Sequence, residues 1–129
     1  MAEYQPGVCN IGEAEQRRRY GLGALAALAT LGLLVGVLAL QLPTWYLLAS
    51  VVPLVGVAEG FFQARFNFCA GFALAGVYDV SPGGSDRREV TDEADRRADR
   101  TRAWQIHAYS VGSALAGTVL IYAVGLVVA

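Results

Sequence analysis

The sequence predicts an all-α integral membrane bundle. Its expected parts are a hairpin of two transmembrane helices, one further span, a short interfacial or re-entrant helix, and a projecting charged helix. Three observations carry that expectation. Residues 22–42, 46–62 and 108–129 hold no Asp, Glu, Lys or Arg other than Glu59. Each run is apolar on all sides, whereas a helix of a soluble bundle keeps a polar stripe at a 3.6-residue period. The basic residues crowd one end of every run, which defines an orientation. With 55% of its 129 residues hydrophobic and only 16% charged, the chain has room for a single membrane domain, 1–129.

Taken in order, residues 1–21 form a cytoplasmic N-terminal segment and residues 22–42 a first span, close to the ~20 apolar residues a bilayer core requires. A cleavable signal peptide is not expected, because the run exceeds a signal core and Glu13 and Glu15 precede its arginines. The second span, 46–64, is short, but can extend toward Arg65 if that side chain reaches back to the headgroups. A turn at 41–44 joins the two. Arg17, Arg18 and Arg19 precede the first span, Arg65 follows the second, and Arg97, Arg100 and Arg102 precede the third, 108–129. All then share one side, and the positive-inside rule makes it cytoplasmic. The expected setting is a prokaryotic cell membrane, multi-pass, with the N-terminus inside and the C-terminus outside. Trp45 and Tyr46 mark the outer interface, Tyr20 and Trp104 the inner one.

Two pieces lie between the second and third spans. Residues 66–78 are apolar but too short to cross, so an interfacial or re-entrant helix is expected there. A turn cluster at 81–85 ends it. Residues 86–107 read as a charged cytoplasmic helix continuous with the third span. Asp92–Arg96 and Glu93–Arg97 offer acid-first pairs one turn apart.

Small residues four apart recur in all three spans: Gly32 and Gly36, Gly56 and Gly60, Ser113 and Gly117. Such pairs allow close backbone approach where lipid removes any hydrophobic drive between helices. Pro53 is expected to kink the second span. Glu59 is the one acid inside a span and needs a partner charge; Arg17, Arg18 or Arg19 across the hairpin is expected in preference to Arg65. Cys9, Cys69 and His107 fall at the cytoplasmic ends of their helices. A thiol pair beside an imidazole could handle persulfide sulfur or electrons. The plainer explanation is two small buried thiols and an interfacial histidine. The three together supply too few ligands for a closed zinc site, so no metal is expected.

The stretch from Cys9 to about Val80 carries Asn10-Ile11-Gly12, charged residues from Glu13 to Arg19 leading to Gly21, an apolar span, Trp45 at the turn, Gly56 and Gly60 in a second span, and Phe68-Cys69 followed by Gly76. It resembles the YgaP-like transmembrane domain family. That resemblance implies a two-helix hairpin, found alone or fused to rhodanese-like sulfurtransferase domains, and able to dimerise. This chain departs from the pattern in having no proline after Cys69 and in adding the charged helix and third span. No rhodanese domain is present, so sulfurtransferase activity does not carry over.

The net charge of −1 gives no basic balance that would call for nucleic acid. No nucleotide loop, Ser/His/Asp set, paired haem histidines or metalloprotease motif occurs, so neither a cofactor nor soluble-type enzyme chemistry is expected. The expected role is a small non-enzymatic membrane protein whose partners are lipid and either a second copy or another membrane protein. A thiol-based sulfur or redox protein using Cys9 and Cys69 is the alternative. A small-ion or anion transport component would need a polar path, for which Thr30, Ser50, Ser113, Thr118 and Tyr122 look too sparse.

Overall fold

A computed structural model describes residues 3–129, and it is mostly helical. Three of its helical segments, Glu13–Ala39, Thr44–Arg65 and Glu93–Val128, are long and apolar enough to cross a membrane. The first is α1, Glu13–Ala39, which begins well before the apolar run and takes in the arginine triplet. Glu13 and Glu15 in its first turn face the positive end of the helix dipole. Its buried residues, Glu15, Gly23, Thr30 and Val37, repeat every seven or eight positions and so form one narrow seam. The leucines between them lie exposed, a surface that water would oppose and lipid accommodates. The helix closes at Gln41, in the left-handed region at φ 53°, with Leu42 N–H donating to Val37 O at 3.0 Å.

The second long segment is built in two gauges. Thr44–Ser50 is a 3-10 helix, and α2 (Val51–Arg65) continues it. Pro53 has no N–H to offer the carbonyl four residues back, and the turns before it tighten to 3-10. A change of helix type thus accompanies the proline. The tighter coil rises faster, so the two pieces together reach about 36 Å, comfortably more than a ~30 Å hydrocarbon core.

After α2 the chain folds back over the bundle. Asn67 (φ 52°) and Gly76 (φ 74°) break the apolar stretch, leaving only α3, Ala70–Ala75, as helix. The expectation of a helix over 66–78 is corrected accordingly. Phe68, Ala70 and Ala73 pack against Ala103 and Ile106 of α4 (Glu93–Val128), with Phe62 and Phe66 alongside. Next come β1 (Val77–Tyr78) and β2 (Arg88–Glu89), antiparallel, Val77 opposite Glu89 and Tyr78 opposite Arg88. Ile11 pairs in parallel with Asp79, so the N-terminal segment adds a further edge to this hairpin. The result is a small polar cap over one end of the three long helices.

The charged helix starts at Glu93, not at residue 86, because residues 86–92 carry β2 and the cap. The Asp92 carboxylate accepts from Ala94 N–H at 2.8 Å and Asp95 N–H at 3.2 Å, which satisfies the first free helix donors. As expected, α4 then runs without a break into the third apolar run, 36 residues in all. Its first turns do not project freely: Asp99 and Ala103 are fully buried beneath the cap. The arginine pairings also differ from expectation. Arg96 reaches back to Glu89 (3.2 Å) and Arg100 to Glu93 (3.2 Å), since Asp92 is occupied as a helix cap.

Within the bundle α2 lies between α1 and α4, which scarcely touch each other. The α1–α2 crossing is set by two glycines: a Cβ on Gly60 would stand 2.6 Å from Arg19 O and 2.7 Å from the Gly23 Cα. Gly56 faces Ala26 and Gly117 faces Leu54. Gly125 accommodates Leu47 in the same way. By contrast Gly32 and Gly36 have nothing within 4 Å, and Ser113 is exposed on α4.

Candidate functional site

Glu59, Cys9, Cys69 and His107 all lie at the capped end, in two groups. The first joins α2 to α4. Glu59 Oε1 meets His107 Nδ1 at 2.5 Å, and Gln63 Nε2 donates to Glu59 Oε2 at 2.6 Å. The side chains are 18% and 32% exposed, enough enclosure to make the bond strong and the loss of either partner costly. The arginine expected beside Glu59 is therefore corrected to a histidine. Arg17 is bound by Glu13, while Arg18 (2.6 Å) and Arg19 (3.3 Å) share the buried Glu15. Acids three and four residues away on the same helix neutralise the triplet before it can reach across the hairpin. Arg65 is exposed and has no carboxylate partner among the described residues. With Nδ1 taken by Glu59, Nε2 is the imidazole nitrogen left free for another partner.

The second group is centred on Cys69. Asn10, fully buried, binds its backbone twice: Asn10 Nδ2 donates to Cys69 O at 2.9 Å, and Cys69 N–H donates to Asn10 Oδ1 at 2.6 Å. The side-chain amide takes the place of a neighbouring strand. Gly12 is equally constrained, because a Cβ there would stand 2.6 Å from Ser81 O. Asn10-Ile11-Gly12 thus acts as a fastener between the N-terminal segment and the cap. The Cys69 sulfur accepts from Arg19 Nη2 at 2.9 Å and from Phe72 N–H at 3.4 Å. A cation at a sulfur is a feature of reactive thiols, but access is a second requirement, and Cys69 is only 4% exposed. Cys9 donates to Ile11 O at 3.6 Å, and burial pushes its thiol above the usual range. Both cysteines are free thiols. Among the described residues no group of three His, Cys, Asp or Glu side chains could hold a metal ion.

A further buried acid was not anticipated. Asp99, fully enclosed, accepts from the Tyr4 hydroxyl and from Gly7 N–H, both at 2.7 Å. Burial and this carboxylate push the Tyr4 phenol above its ordinary range. Tyr4 also stacks on Tyr78 with ring centroids 4.1 Å apart. Nothing in the pattern of residues 92–102 distinguishes Asp99 from its solvated neighbours. Its burial becomes visible only when the N-terminal loop is seen to cross α4.

The Thr30 and Thr118 hydroxyls return to their own helices, at Ala26 O (2.9 Å) and Ala114 O (2.8 Å). Ser50 and Ser110 are buried with no hydrogen-bond partner. The chain is thus of a definite class, mostly helical with three helices able to cross a bilayer and a polar cap at one end. No family model, curated protein or solved structure matches it.

Proposed function

We propose that this chain is a small non-enzymatic membrane protein that acts by associating with a second copy of itself in the bilayer, or as an accessory subunit of a larger membrane complex. The cap is cytoplasmic in this reading and the C-terminus outside, following the arginine distribution. One observation carries it. Gly23, Gly56, Gly60, Gly117 and Gly125 are all used in packing within the chain, while the close-approach pair Gly32 and Gly36 on α1 has nothing within 4 Å. In lipid, a face of that kind gains from van der Waals contact with a second helix. The YgaP-like resemblance of residues 9–80, whose members can dimerise, supports the same reading.

The test is the mass of the particle in mild detergent and in nanodiscs. Wild-type protein is expected as a dimer or bound to a co-purifying partner, and Gly32→Leu/Gly36→Leu as a folded monomer. Wild-type protein that stays monomeric with no partner from native membranes would overturn the proposal. The thiol-based alternative ranks lower, since Cys69 is covered and the Cys9 thiol is pushed up. Rapid alkylation of both thiols in intact membranes would reverse that order.

A further inference from the structure

We propose that a groove on the capped half of α4, between Arg97 and Arg102, binds the phosphate of an anionic phospholipid headgroup. Ten arginines occur in the chain, and six of them are matched by carboxylates: Arg17, Arg18, Arg19, Arg88, Arg96 and Arg100. Arg87 lies over the Phe72 ring at 4.5 Å. Among the described residues Arg97 and Arg102 have no acid partner, and both line one groove. Its floor is the α4 face of Ala98, Thr101 and Gln105, and Gly7 of the N-terminal loop forms the wall. Gly7 fits there because it takes φ 71°, a conformation side chains rarely adopt.

Arg102 is held in place rather than waving in solvent. Its guanidinium lies 4.6 Å over the Phe66 ring, Nη1 donates to Gln105 Oε1 at 3.2 Å, and Nε is buried without a partner. A planar fork fixed in this way has lost most of its side-chain entropy before an anion arrives, and guanidinium geometry matches phosphate oxygens. Of the carboxylates close by on α4, Glu93 is held by Arg100 at 3.2 Å, and Asp99 is fully buried with both oxygens engaged by Tyr4 and Gly7. Its charge reduces the local field, but its oxygens do not face an incoming anion.

Position selects a lipid over a soluble phosphate. Gln105 adjoins Trp104, an exposed aromatic at the level where the apolar part of α4 begins. Arg97 lies about 12 Å nearer the helix start. The groove therefore begins in the headgroup layer, roughly 5–8 Å thick on each side, and ends just above it. Arginines at that depth attract anionic lipid by about 1 kcal/mol each, close to fivefold in affinity.

The inference rests on the membrane placement proposed above, and the experiment separates the two. Full-length protein is extracted from membranes, and phosphatidylglycerol or phosphatidylcholine is added for native mass spectrometry. Wild type is expected to retain one phosphatidylglycerol per chain in preference to phosphatidylcholine. R97Q should weaken that retention about fivefold and R97Q/R102Q about 25-fold. R17Q/R65Q, which removes two exposed arginines outside the groove, should leave it unchanged. Should R102Q fail to fold because Phe66 loses its cover, R97Q alone decides. Equal retention of the two lipids, or equal losses from both double variants, would overturn the site in favour of diffuse attraction. Inorganic phosphate binding to lipid-free micelles as tightly as the lipid would overturn the choice of ligand. Recovery of the chain in the soluble fraction would instead overturn the membrane placement.

Discussion

Replacing Asn10 by alanine tests whether the N-terminal segment is fastened to the cap by a single side chain. Asn10 is fully buried and makes two bonds to the Cys69 backbone, at 2.9 and 2.6 Å. Truncation removes both and leaves a buried N–H and a buried C=O unpaired, at about 1–2 kcal/mol each. The local loss is thus about 2–4 kcal/mol, concentrated on the segment that covers Cys69. Cys69 is 4% exposed, so its alkylation requires that segment to open. In a Cys9→Ser background Cys69 is the only thiol, and its maleimide reaction rate reads the opening equilibrium directly. At about 1.4 kcal/mol per decade, Asn10→Ala should accelerate it roughly 30- to 700-fold, with water entry favouring the lower end. Asn10→Asp should act in the same direction, since it places an acceptor against Cys69 O. A rate within about threefold of the parent would refute the fastener.

Other expectations follow from the same contacts. Gly60→Leu should cost at least about 1–3 kcal/mol of thermal stability, because its Cβ would stand 2.6 Å from Arg19 O, whereas Gly32→Leu, with nothing within 4 Å in its own chain, should leave the stability of the monomer nearly unchanged. A double-mutant cycle of Glu59→Gln and His107→Asn should give a coupling of about 1.5–3 kcal/mol; a coupling near zero would mean that the 2.5 Å contact does not join α2 to α4. Tyr4 loses its proton less readily in the folded chain than at its ordinary 10.0, so its contribution to stability is complete below that pH and falls away as pH rises above it. In an ultraviolet titration the Tyr4 phenol should ionise late, only as the cap opens. Tyr4→Phe should abolish that late step, and its persistence in the variant would contradict the assignment.

Much of the architecture was legible because hydrocarbon length and charge placement are local properties of the chain. The three helices long and apolar enough to cross a membrane, the turn near Gln41 and the unbroken passage of the charged helix into the third apolar run are of this kind. The cap was not legible, and residues 66–78 show why. Apolar composition records only that a segment avoids water, and Phe68, Ala70 and Ala73 do so against Ala103 and Ile106. Helix faces were only partly readable. Gly56, Gly60 and Gly117 do pack, but the crossing also needs Gly23, and α4 buries Ser110 and Ala114 where Ser113 was expected. The 3-10 turns contribute to this, since they advance 120° per residue in place of 100° and bring Leu47 and Ser50 onto one buried face. The partner of Glu59 depended on the same relative rotation of the helices. His107 lies 48 positions away, and no spacing within one helix could select it over the arginines.

The most direct test of the account is the side of the membrane on which each end of the bundle lies. Single cysteines at Gln41, Gly83 and Ala129, introduced into a Cys9→Ser chain with Cys69 retained as the covered thiol, can be probed in intact cells with an impermeant maleimide. Gln41 and Ala129 lie at the uncapped end and Gly83 in the exposed cap turn. Gln41→Cys and Ala129→Cys should label in intact cells, and Gly83→Cys only after permeabilisation. Labelling of Gly83→Cys in intact cells, or equal labelling of all three positions, would contradict that placement.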